Sequence, residues 1–81
     1  MSFEANRARL ATVIDRTLDL AGARRLLHAL RVAMASSTVF AKLAVEGDTL
    51  RIARADLADL LGLAAARVMV LEAAKRQAVA Q

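Results

Sequence analysis

The chain has 81 residues, is 58% hydrophobic and 25% charged, and carries a net charge of +4, which points to one small domain. It has no cysteine, which excludes disulfides and thiolate metal sites, and no proline and only three glycines, a poor supply of turns for an all-β fold. Twenty alanines and 13 leucines favour helix, so the expected class is all-α: a small bundle of four to five helices with a helix-turn-helix-like C-terminal half.

Residues 1–35 read as a helical hairpin or one kinked helix. Ser2 is placed to cap a helix from Phe3 onward. Phe3, Leu10, Ile14, Leu18 and Ala21 then recur at helical spacings and fall within one arc, with Val13 on its flank and Glu4, Arg9, Asp15, Arg16 and Asp19 opposite. Gly22 marks a joint. Residues 23–35 form a second helix, with Leu26, Leu27, Leu30, Ala33 and Met34 on one face. Arg24, His28 and Arg31 make a stripe on the other face, with Arg25 beside it.

Ser36, Ser37 and Thr38 are punctuation, any of which can cap a third helix over roughly 38–46. That helix is expected to bury Phe40 and Leu43 and to end at Gly47 in a left-handed turn. Leu50-Arg51-Ile52 alternates over too short a run to build a sheet. Helices over about 54–61 and 64–79 complete the chain, and Ala78 to Gln81 are expected to fray.

The last two segments have the spacing of a helix-turn-helix. Gly62 takes the turn, Ala58 the small crossing position, Leu57 and Leu61 the core, and Val68 and Leu71 the inner face of the second helix. With Arg54, Asp56, Leu57, Ala58 and Gly62 in the order Arg-x-Asp-Leu-Ala-x-x-x-Gly, residues 38–78 resemble the DNA-binding module of cyclic-AMP-receptor-type bacterial regulators. The resemblance implies a recognition helix over 64–79. The family's base- and phosphate-contacting positions map onto Ala64, Ala65, Ala66, Met69, Val70 and Ala73, none of which can offer a side-chain hydrogen bond to a base edge. Ala53 also stands where the family has a Ser or Thr cap, and no wing follows the helix.

The terminal helix is therefore apolar on two faces. Val68 and Leu71 mark one; Ala65, Ala66, Met69, Val70 and Ala73 mark the other, as a dimer interface or a surface for a protein partner, unless the first helix covers it. The alternative is DNA binding, with Arg67, Lys75 and Arg76 on phosphates. Arg24, Arg25, His28 and Arg31 form the densest basic patch, read either as a solvated face or as a surface for phosphates, acidic side chains or an anionic membrane. His28 has no companion metal ligand, and the pairs Asp15/Asp19 and Asp56/Asp59 read as solvating charges. No catalytic set, cofactor site or small-molecule site is expected. The longest charge-free stretch, Val32 to Ala41, is too short to span a membrane, and the N-terminus lacks a secretory apolar run. The expectation is a non-enzymatic cytoplasmic regulator of bacterial or phage type, an inhibitor or anti-activator that dimerises and binds a protein partner.

Overall fold

The structure is a computed structural model that describes residues 2–36 and 39–80. Three helices and one hairpin follow in the order α1 (Phe3–Arg16), α2 (Leu20–Ser36), β1 (Phe40–Val45), β2 (Asp48–Ala53) and α3 (Arg54–Ala80). This corrects the all-α expectation: three helices and a two-stranded antiparallel sheet replace the bundle of four to five.

Ser2 caps α1 as its position suggests, its Oγ accepting the Ala5 N–H at 3.1 Å. Asn6, Leu10 and Ile14, spaced by four, form the buried stripe. The helix ends at Thr17, which has extended dihedrals and whose Oγ1 donates to the Val13 carbonyl at 2.7 Å. The joint is therefore at 17–19 and not at Gly22, and it leaves Leu18 81% exposed. Asp19 begins α2: its Oδ2 accepts the Gly22 N–H at 3.2 Å, so Gly22 lies in the first turn. Ala23, Leu27, Leu30 and Ala33 are the buried face of α2. Ser36 belongs to its last turn, with Oγ donating to the Val32 carbonyl at 2.7 Å; the alternative caps, Ser37 and Thr38, lie outside the described residues.

The expected third helix is strand β1. Its residues alternate, with Ala41, Leu43 and Val45 buried and Phe40, Lys42 and Ala44 exposed. Phe40 and Leu43, assigned to one helical face, thus lie on opposite faces of the sheet. Phe40 packs at 6.0 Å from Phe3 on the outer face, beneath the Arg51 guanidinium. The turn is Glu46-Gly47, with φ of 50° and 83°, the two positive values that a two-residue hairpin matching the strand twist requires. Gly47 does supply a left-handed backbone, but inside a hairpin rather than after a helix. Val45 pairs with Asp48, Leu43 with Leu50 and Ala41 with Ile52; these residues, except Asp48, point into the core.

β2 runs into α3 with no intervening residue. The Arg54 N–H donates to the Val39 carbonyl at 3.0 Å, so the sheet satisfies one of the first N–H groups of the helix in place of a side-chain cap. Arg54 Nη1 also donates to the Met34 carbonyl at 2.8 Å, capping the end of α2. α3 is a single helix through Gly62. Among the described residues only Gly47 is a glycine with positive φ, and Ala58, expected at a helix crossing, is exposed. One mid-helix glycine costs about 1 kcal/mol, which the Leu and Ala residues around it offset, so the turn is not made.

α2 and α3 are antiparallel, with Arg24 beside Glu72 at one end and Arg54 beside Met34 at the other. α1 runs alongside α3 in the same direction: Arg7 meets Asp56 and Asp59 at 3.5 and 3.6 Å, and Arg67 meets Thr17. β2 lies against α1 and β1 against α2. One core joins all five elements, and Leu10, Leu30, Ile52, Leu57 and Leu60 are its fully buried large residues.

Candidate functional site

α3 buries only one side. Leu57, Leu60, Ala64 and Val68 are enclosed at spacings of three and four. Ala66, Met69, Val70 and Ala73 are exposed, Met69 at 69% and Val70 at 56%, while Ala65 is half-buried and packs against the core. Helix α1 does not cover this side. It meets α3 one flank away, leaving a shallow groove of about 200 Å³ in which Leu63, Ala66 and Val70 face Ala11 and Ile14. Leu63 is itself 46% exposed, so the apolar surface continues from the groove across the outer side of α3 to Met69 and Ala73.

Gly62 lies within this surface. A Cβ built there meets nothing within 4 Å, so nothing in the isolated chain requires the absence of a side chain. Ala58, Gly62, Ala66 and Ala73 leave the helix backbone thinly covered, flanked by the larger Leu63, Met69 and Val70. That relief lets a second helix approach closely while flexible methionine fills the irregular remainder.

The basic residues fall into separate groups. Arg24, Arg25, His28 and Arg31 are all exposed on α2, and Arg24 is joined to Glu72 of α3 at 3.2 Å. Arg67 is half-buried and its Nε donates to the Thr17 carbonyl at 2.7 Å, which closes the end of α1 and engages the side chain within the fold. Lys75 and Arg76 are exposed beside Leu20 and Val79 near the end of α3. The three cations expected on phosphates are therefore not brought to one face.

Three of the four paired carboxylates act within the fold, and Asp15 is exposed. Asp56 and Asp59 face Arg7, and Asp19 caps α2. Asp48 and Glu46 are paired with Arg9 and Arg16 at 2.8 and 3.4 Å. Such exposed pairs each contribute about 0–1 kcal/mol, so they orient the elements more than they hold them. Among the described residues no three His, Cys, Asp or Glu side chains gather to hold a metal ion, and no helix is long and apolar enough to cross a membrane.

No family model, no curated protein and no solved structure matches this chain.

Proposed function

We propose that this chain is a small non-enzymatic regulator that acts by protein–protein binding, and that its first partner is a second copy of itself, bound through the exposed side of α3. The observation that supports this most is the contiguous apolar surface of Leu63, Ala66, Met69, Val70 and Ala73 on a helix whose other side already supplies the core. Large apolar groups left together in water on so small a domain favour association. The unneeded Gly62 supports close helix approach at that surface. An inhibitor or anti-activator in the bacterial or phage cytoplasm is the role this surface suits, the dimer presenting its remaining faces to a target.

Sedimentation across a range of concentrations tests the proposal. The natural chain is expected to be a dimer, and Met69→Glu a folded monomer with unchanged helical circular dichroism, because a charge is placed in the desolvated contact. A dimer that survives both Met69→Glu and Val70→Glu overturns it.

A further inference from the structure

The two edges of the hairpin are treated differently by the fold. The Glu46-Gly47 turn makes Val45 and Asp48 a hydrogen-bonded pair, so Leu43/Leu50 and Ala41/Ile52 are hydrogen-bonded as well. Phe40, Lys42 and Ala44 therefore turn their backbone N–H and C=O groups away from β2, as Thr49, Arg51 and Ala53 do on the other strand. On β2 that outer edge is attended in part: α1 lies against it and Asn6 Nδ2 donates to the Arg51 carbonyl at 3.0 Å, with Arg9 and Asp48 paired across a smaller groove beside Thr49. On β1, among the described residues, no hydrogen bond is made to the outward groups of Phe40, Lys42 or Ala44. Instead a groove of about 700 Å³ runs between this edge and α2, with Val32 on its wall. The ionisable residues that line it are His28 and Lys42, with no carboxylate. Arg25 and Arg31, one turn to either side of His28, add positive charge along the same helix and have no ion pair among the described residues.

We infer that the free edge of β1 takes an extended acidic peptide, which adds as a third strand, with its acidic side chains beside Lys42 on the outer face and its alternate apolar ones over the groove toward Val32 of α2. Main-chain bonds to Lys42 and Ala44 supply affinity, and the groove and the Lys42 ammonium supply selectivity. A second copy of β1 is a poorer occupant, because pairing about a two-fold axis sets Lys42 close to its own symmetry mate on one face of the sheet. This surface is separate from the side of α3 assigned to dimerisation.

The test is an NMR titration of the full chain with the blocked peptide Thr-Glu-Val-Glu-Val-Thr-Glu. Saturable shifts are expected at the amides of Phe40, Lys42 and Ala44, with about tenfold or greater slowing of their hydrogen exchange. Lys42→Glu is expected to weaken binding about tenfold or more and to favour the same peptide with lysine for glutamate. A peptide N-methylated along its bonding edge is expected not to bind, and Met69→Glu is expected to leave the titration unchanged. Absence of saturable binding, shifts confined to α3, or equal binding of the acidic and lysine peptides overturns the inference. So does edge protection that grows with protein concentration when no peptide is present, which would assign the edge to a second copy.

Discussion

Asn6 is the buried polar side chain of the described residues, 4% exposed, and its amide reaches across from α1 to the backbone of β2. Replacing it with leucine keeps the volume but removes the donor to the Arg51 carbonyl, a loss partly offset because the buried Asn6 Oδ1, which has no partner, is removed with it. Asn6→Leu is expected to lower stability by about 0.5–1.5 kcal/mol in urea unfolding, with the loss seen as a shifted midpoint at unchanged slope. This residue was hidden from pattern reading by its polarity, although its phase, four residues before Leu10 and eight before Ile14, is that of the core stripe. The reverse holds at Phe3, Phe40 and Leu18. Their hydrophobicity argued for the interior, yet all three are substantially exposed, because the chain leaves the helix before Leu18 and the strand turns Phe40 outward. Of the second apolar face read from the sequence, Ala66, Met69, Val70 and Ala73 are exposed, whereas Ala65 is half-buried against the core, because it lies one residue from the buried stripe at Ala64.

At the scale of the element, α1 and α2 are legible as apolar arcs, and Ser2 as the cap of α1, but Asp19, which reads as a polar residue of the first helix, caps α2 and moves the joint from Gly22 to 17–19. The hairpin is not legible, although Phe-Ala-Lys-Leu-Ala-Val alternates with period two. In an alanine-rich strand the inward and outward residues differ little in hydrophobicity, so composition outweighed the period. The sequence of α3 reads as two helices for a related reason. Glycine is the residue of both helix ends and close helix contacts, and sequence spacing alone does not separate those uses. The two uses differ in what an added methyl does. In the monomeric Met69→Glu background, Gly62→Ala is expected to raise stability by about 0.5–1 kcal/mol, since α3 is helical there and a Cβ meets nothing within 4 Å. In the natural chain the same substitution is expected to weaken dimerisation, read as a raised dissociation constant by sedimentation.

The molecule as a whole is elongated, 46 × 22 × 18 Å with a radius of gyration of 13.3 Å. A compact domain of this length is expected near 12 Å, and α3 accounts for the excess. Its last enclosed residue is Val68, and Ala73 to Val79 are all exposed, so its final turns extend past the core. A helix of this length without packing is marginal in water. Amide exchange beyond Ala73 is therefore expected to be fast in dilute Met69→Glu protein and slower in the concentrated natural chain, measured by mass spectrometry. The start of the same helix has the opposite character. Arg54 is tied to Val39 and Met34, and no residue separates β2 from α3, so the hairpin and the helix share one backbone without a hinge. A rotation of the sheet by about 5° would swing the far end of a 27-residue helix through about 3–4 Å. Because α1 and α2 also pack on α3, the core opposes that swing, and the junction at Ala53–Arg54 holds the β1 edge at a fixed angle to the exposed side of α3.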